Sequence, residues 1–239
     1  MTTYDFNDGN GPVPAHQHPN GGGWVADTAT VAATAYVGPD ARVSGNALVS
    51  DNAIVSGNAL VSGDAIVSGN ALVSGDAKVY GDAYVYGNAQ VSDNARVSGD
   101  AKVYGNALVS DNAIVYDNAR VYGYAYVYGN ALVSDNALVS GDAIVSGNAQ
   151  VSGDAKVSGD AKVYGDALVS KTPLQFRRSD GYDFVIVPCA DNVDRIIAGC
   201  RYFTLEEAYN HWNKEHLKYE ETNIILEALK KLYELQKSS

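Results

Sequence analysis

Valine and alanine recur with a strict period of six over most of the chain. Valine stands at every sixth position from Val25 to Val169, which makes 25 hexads without an insertion, and alanine follows each valine by four positions from Ala29 to Ala167. Because six is a multiple of two, every valine can face the same side of an extended segment. The Gly/Asp–Asn/Asp pair after each valine favours a turn. Each hexad is therefore predicted to be a short strand and a corner, with valine and alanine inside.

A six-residue unit cannot bury its apolar side alone, so the hexads must stack as a solenoid. The motif, a branched aliphatic residue first and a small residue fifth, resembles the hexapeptide repeat of left-handed parallel β-helices over residues 24–170. The resemblance implies a triangular prism with three hexads per coil and about eight coils. At about 4.8 Å per coil the rod would be roughly 40 Å long. The predicted fold class is mainly β, a left-handed parallel β-helix followed by a small α+β domain.

Eighteen residues per coil would place residues 18 apart in one column on the surface. Two columns are candidate interfaces, since exposed apolar columns often mark contacts between proteins. The alternative is that these residues are good strand formers on a solvated face. The first, the apolar column, contains Ile54, Leu72, Leu108, Tyr126 and Ile144, together with Tyr36, Gln90 and Lys162. The second, the tyrosine ladder, contains Tyr86, Tyr104 and Tyr122.

The chain is acidic, with a formal net charge of −11, and residues 24–170 contribute −8 through 15 Asp and 7 Lys or Arg. Such a surface disfavours ordinary nucleic-acid binding. Three interpretations of the acidic surface are open: it keeps the protein soluble, it binds a basic partner, or it imitates DNA. No long apolar segment and no signal peptide is evident, and there are only two cysteines. These features predict a cytoplasmic protein that does not bind a membrane.

Many hexapeptide-repeat proteins are acyltransferases and some are zinc carbonic anhydrases, and both activities need histidine. Residues 24–170 contain no His, Cys or Glu and no loop that interrupts the coils. No catalytic residue, metal ligand or cofactor is therefore predicted for the rod. His16 and His18 precede it as an H-x-H pair, and a segment that caps the first coil is a better interpretation of residues 1–23 than a metal site.

Residues 171–239 have ordinary globular composition. The segments 181–187 and 194–199 predict a hairpin. The segment 203–212 predicts a helix, with Thr204 as N-cap and Glu207 completing a capping box. A second helix is predicted for 221–236 from its apolar stripe. Docking of this small domain on the last coil, or self-association, would supplement its core.

The C-terminal region offers few chemical groups. Cys200 could act as a nucleophile with His211, with Arg201 lowering the thiol pKa, although a buried structural cysteine is the stronger interpretation. A Cys189–Cys200 disulfide is open, but simple hairpin pairing does not place the two opposite each other. The segment "AGCRYFTLEEAYNHW" resembles a small domain of uncharacterised bacteriophage and prophage proteins. The recognition candidates are Arg201, Tyr202, His211 and Trp212.

Together these features predict a non-catalytic, phage-type scaffold. The rod would be a rigid spacer and oligomerisation element, and the resemblance favours a homotrimer. The C-terminal domain would recognise a partner such as a host protein. Two alternatives stay open: a divergent acyltransferase-like enzyme with its site elsewhere, and an acidic inhibitor that imitates DNA.

Overall fold

The computed structural model describes residues 2–189, 191–199, 201–213 and 217–237. Three sheets of short parallel strands form the rod, and each strand pairs with the strands 18 residues before and after it. Leu72, for example, is in register with Ile54 on one side and Gln90 on the other. The predicted coil of three hexads is thereby confirmed, and the chain is a β-solenoid of about eight coils. We call the three sheets faces A, B and C.

The strands of each face follow one another at intervals of 18 residues, except that face A begins with two antiparallel strands of the N-terminal segment. Face A contains Thr3–Tyr4, Val13–Gln17, Trp24–Ala26, Arg42–Val43, Leu60–Val61, Lys78–Val79, Arg96–Val97, Ile114–Val115, Leu132–Val133, Gln150–Val151 and Leu168–Val169. Face B contains Thr30–Val31, Leu48–Val49, Ile66–Val67, Tyr84–Val85, Lys102–Val103, Arg120–Val121, Leu138–Val139 and Lys156–Val157. Face C contains Tyr36–Val37, Ile54–Val55, Leu72–Val73, Gln90–Val91, Leu108–Val109, Tyr126–Val127, Ile144–Val145 and Lys162–Val163.

The core of the rod is the stack of repeat valines and alanines. Every repeat valine from Val37 to Val169 and every repeat alanine from Ala35 to Ala167 is at most 2 % exposed. β-Branched valine suits the extended positions, whereas alanine leaves room for the chain to turn at each corner. The faces therefore differ through their surface positions, above all through the outward residue of each strand.

The N-terminal segment lies against the first coil. Thr3–Tyr4 and Val13–Gln17 form an antiparallel hairpin that continues face A through Trp24–Ala26. Phe6 and Ala15 are buried there, and the rings of Tyr4 and Trp24 stack at 4.5 Å. The following residues reach face C, where the Val37 N–H donates to the Asn20 carbonyl at 3.0 Å. Backbone groups at the start of the rod are paired in this way.

The C-terminal region is a four-stranded antiparallel sheet with two helices. Its strands are Leu174–Arg177, Asp183–Val187, Arg195–Ala198 and Arg201–Thr204, paired in that order. The sequence-predicted hairpin is the centre of this sheet, and the two outer strands were not predicted. Helix α1 spans Leu205–His211 and helix α2 spans Tyr219–Lys237. The predicted capping box is confirmed, since the Thr204 hydroxyl accepts from the Glu207 N–H and the Glu207 carboxylate accepts from the Thr204 N–H.

The sheet lies between the end of the rod and the helices. Val185, Val187 and Ile197 belong to the same core as the rod valines. The alternate residues, among them Phe184 and Ile196, pack against the helices in a second core. The Leu168 N–H on the last strand of face A donates to the Pro188 carbonyl at 2.7 Å. No helix among the described residues is long and apolar enough to cross a membrane.

Candidate interaction surfaces

Face C presents the apolar column as one file along the rod, with the polar Gln90 between Leu72 and Leu108 and Lys162 at its end. Ile54 and Tyr126 are exposed, and Leu72, Leu108 and Ile144 are half-buried by their neighbours along the file. No charged residue occupies an outward strand position of face C between its first strand and Ile144. The other two faces do carry charge at these positions, with Arg42, Lys78 and Arg96 on face A and Lys102, Arg120 and Lys156 on face B. Charge thus distinguishes face C from its neighbours.

The tyrosine ladder runs along the corner between faces B and C. The rings of Tyr86 and Tyr104 stack at 4.8 Å and those of Tyr104 and Tyr122 at 4.9 Å, and both pairs are nearly parallel. Burial of the central ring, together with the neighbouring phenols, raises the pKa of Tyr104. The rings cover one another's faces, so the ladder presents mainly ring edges and hydroxyl groups to solvent. It stabilises three successive coils whatever else it contacts.

Polar corner residues bind the next coil. The Asn70 side-chain amide donates to the side chain of Asn88, which donates in turn to Asn106, both at 3.1 Å. The Asp51 carboxylate accepts from the Gly69 N–H at 2.9 Å. Such corner carboxylates have a structural task, which accounts for part of the acidity of the rod.

A compact polar cluster joins the rod to the C-terminal sheet. The buried Cys189 thiol lies 2.9 Å from the Tyr202 hydroxyl, which also accepts from the Asp166 N–H at 3.2 Å. The Arg195 guanidinium lies 5.3 Å from the Tyr202 ring centroid. Burial, followed by the contact with Cys189, raises the pKa of Tyr202. Tyr202, predicted as a recognition residue, is therefore engaged in this junction.

The other recognition candidates are divided between surface and core. Arg201 and His211 are exposed, whereas Trp212 is buried in the second core. The His211 ring lies 4.9 Å from the rings of Phe203 and Trp212. Cys200 lies outside the described residues, so its suggested pairing with His211 stays a prediction, whereas Cys189 is a free thiol and the disulfide considered for it is not formed.

The two N-terminal histidines have different environments. His16 is exposed, with Nδ1 2.9 Å from the Asp27 carboxylate. His18 is buried, with Nδ1 3.3 Å from the Asn20 N–H that donates to it. Among the described residues no three His, Cys, Asp or Glu side chains converge as a metal site.

A half-open hollow of about 280 Å³ lies where the last coil meets α2. Its lining is mainly apolar, and we call it the α2 hollow. The residues that line it include Val169, Pro173, Ile186, Pro188, Tyr233 and Gln236.

Comparison with known proteins supports the class of fold. A family model described as the YdcK β-solenoid repeat matches the rod at residues 41–57, 55–69, 89–103, 101–117, 115–129, 125–141, 131–147 and 137–153. The chain is thus a β-solenoid repeat protein. No curated protein matches it.

Two solved structures are similar at low identity. LpxA from Acinetobacter baumannii is 11% identical, with 67% of this chain and 72% of that chain covered and a TM-score of 0.31. A putative acetyltransferase from Bacillus cereus is 13% identical, with 83% of this chain and 98% of that chain covered and a TM-score of 0.32.

Proposed function

We propose that the protein is a non-catalytic scaffold whose rod is a spacer and oligomerisation element and whose C-terminal region recognises a partner. The observation that carries the proposal is the contrast among the three faces of an uninterrupted rod. The valine and alanine core is constant from coil to coil, so only the outward residues distinguish the faces. Face C keeps an uncharged, mainly apolar file over seven coils, while both other faces carry cations.

The apolar column fits a contact between copies of the chain. A flat file of branched and aromatic side chains buries well against an identical file, and no charge between Tyr36 and Ile144 has to be desolvated. Arg42, Lys78 and Arg96 on face A, by contrast, would face like charges in the equivalent contact. A trimer with three copies of face C around one axis is the favoured arrangement, because the hexapeptide-repeat resemblance points to it.

Recognition is assigned to the C-terminal region. This region closes the far end of the rod, and Arg201 and His211 lie exposed on it. The resemblance of its sequence to small phage and prophage domains suggests a host protein as partner. The corner carboxylates that bind the next coil, such as Asp51, favour a structural use of the acidic residues over imitation of DNA.

Light scattering on the purified chain tests the oligomerisation part of the proposal. Leu72→Glu with Leu108→Glu should lower the oligomer mass and leave the circular dichroism of the rod intact. The matched control is Leu60→Glu with Leu132→Glu on face A, which should keep the wild-type mass. A monomeric wild type, or an equal loss of mass in both pairs, would contradict the assignment of face C.

A further inference from the structure

Helix α2 is apolar over a wider arc than the side it buries. Leu226, Leu229 and Tyr233 face the sheet and are buried. Beside them runs a second apolar stripe, most of which is open to solvent. This α2 stripe contains Leu217, in the turn before the helix, at 95% exposure, Ile224 at 68%, Leu232 at 43% and Leu235 at 59%, with the half-buried Ala228 between them.

A stripe of this size is costly to leave in water. Each fully buried Leu or Ile side chain contributes roughly 1.5–3 kcal/mol relative to an exposed one. Exposed apolar side chains are ordinary when scattered, but a continuous row on one helix is typical of a contact surface.

Four of the five residues of the α2 stripe, all but Leu232, have a symmetric spacing. Leu217, Ile224, Ala228 and Leu235 are separated by seven, four and seven residues, so the order of spacings is the same in both directions. Two copies of α2 placed antiparallel would put Leu217 of one beside Leu235 of the other. Ile224 would lie opposite Ala228, a large side chain against a small one. This is the self-complementarity that a two-fold contact requires.

Two of the charged residues that flank the stripe have the same symmetry. Glu220 and Lys231 are both exposed and stand 11 residues apart, which places them on the same flank of the helix. In the antiparallel pair Lys231 of each copy would lie beside Glu220 of the other. A parallel pair would place the flank that carries Glu220 and Lys231 on opposite sides of the contact in the two copies, so the Glu220–Lys231 pairs can form only in the antiparallel orientation.

We propose that two copies of the chain pair through antiparallel α2 helices, which would join the C-terminal ends of two rods. The contact is separate from the oligomer proposed for face C. A single helix pair buries a small area, so the dimer is expected to be weak and concentration-dependent.

The test is a charge-reversal cycle on the full chain, with the dimer constant measured by analytical ultracentrifugation. The background is Leu72→Glu with Leu108→Glu, so that face C does not contribute. Lys231→Glu and Glu220→Lys should each weaken dimerisation about tenfold, since two attractive pairs become repulsive. The double reversal should restore it. The matched control is Lys230→Glu, which makes the same charge change on another side of the helix and should have little effect.

Cross-linking gives an independent readout of orientation. Leu217→Cys protein mixed with Leu235→Cys protein should join through a short bis-maleimide, as read by peptide mapping. Either protein alone should join poorly, because 18 residues of helix separate equivalent positions by about 27 Å in an antiparallel pair. Efficient joining of Leu217→Cys to itself would overturn the antiparallel orientation. A background chain that is monomeric at sub-millimolar concentration, or equal effects of Lys230→Glu and Lys231→Glu, would overturn the contact itself. These outcomes leave the face C proposal untouched.

Discussion

The corner at Gly87 allows a quantitative test of what holds successive coils together. Gly87 has a φ of +75°, and a Cβ there would lie 3.1 Å from the Gly105 nitrogen and 3.2 Å from its carbonyl oxygen. Asp51 occupies the same corner column two coils earlier with a φ of 59°. Its carboxylate accepts from the Gly69 N–H at 2.9 Å. A carboxylate side chain at this corner can therefore offset part of its cost by binding the next coil.

We expect Gly87→Ala to lower the free energy of unfolding by about 2 kcal/mol. Roughly half comes from the positive φ, which costs a residue with a Cβ about 1 kcal/mol relative to glycine. The rest, again about 1 kcal/mol, comes from crowding against the next coil. Gly87→Asp should cost about 1 kcal/mol less than the alanine variant, because its carboxylate can accept from the Gly105 N–H.

Gly159→Ala separates the two contributions. Gly159 has a φ of +64°, but no atom lies within 4 Å of the position of its Cβ. It should therefore show only the backbone cost of about 1 kcal/mol. Guanidinium denaturation followed by circular dichroism measures all three variants. A Gly87→Ala variant that is no less stable than Gly159→Ala would contradict the crowding contribution, and a Gly87→Asp variant as unstable as Gly87→Ala would contradict the hydrogen bond to the next coil.

Three further predictions concern the rod, the C-terminal region and catalysis. Deletion of residues 97–114 should remove one coil, shorten the rod by about 4.8 Å and preserve partner binding, as a pull-down would show. Deletion of residues 97–102 should keep the valine phase but move every later hexad to another face. The chain should still fold, but partner binding should be lost. Equal binding by the two deletion variants would show that the geometry of the rod does not matter for recognition. Hydrogen bonds from Arg177 lower the pKa of Asp183, and those from Arg195 lower that of Asp191 to about 2. These carboxylates stabilise the fold above their unfolded pKa, so the C-terminal region should lose stability as the pH falls from 3.8 towards 2. Denaturation of a Trp24→Phe variant followed by the fluorescence of Trp212 measures the stability of the C-terminal region. A denaturation midpoint that does not change with pH would contradict the prediction. Calorimetry with acetyl-CoA should show no binding; a micromolar site lost on changing one rod residue would overturn the scaffold proposal.

The repeat could be interpreted from sequence because its constraints are local and repeated. Every hexad carries its own signals: the position of valine predicts the strand, valine and the alanine four residues later predict the core, and the turn pair predicts the corner. Once a coil is 18 residues, the columns follow by counting, so the neighbours of Leu72 and the stack of Tyr86 on Tyr104 were predictable. The capping box at Thr204 was predictable for the same reason, since both of its partners lie within one helical turn.

The tertiary structure decided what depends on distant residues. The strands Leu174–Arg177 and Arg201–Thr204 are short and form because they pair with the central hairpin. No local sequence pattern predicts this pairing. Tyr202 looked available from sequence, but its hydroxyl is engaged by Cys189 and Asp166 at the end of the rod.

The same distinction separates the two apolar sides of α2. Periodicity predicts that the helix is amphipathic, and it includes the exposed Leu232 and Leu235 in the same stripe as the buried Leu229. Only the packing of the sheet against one side shows which residues are covered. The sequence by itself determined the repeat, the coil and the composition of each face, because a periodic chain repeats its own contacts. The tertiary structure decided which surfaces remain exposed to solvent, because burial depends on which segments distant in the sequence pack against them.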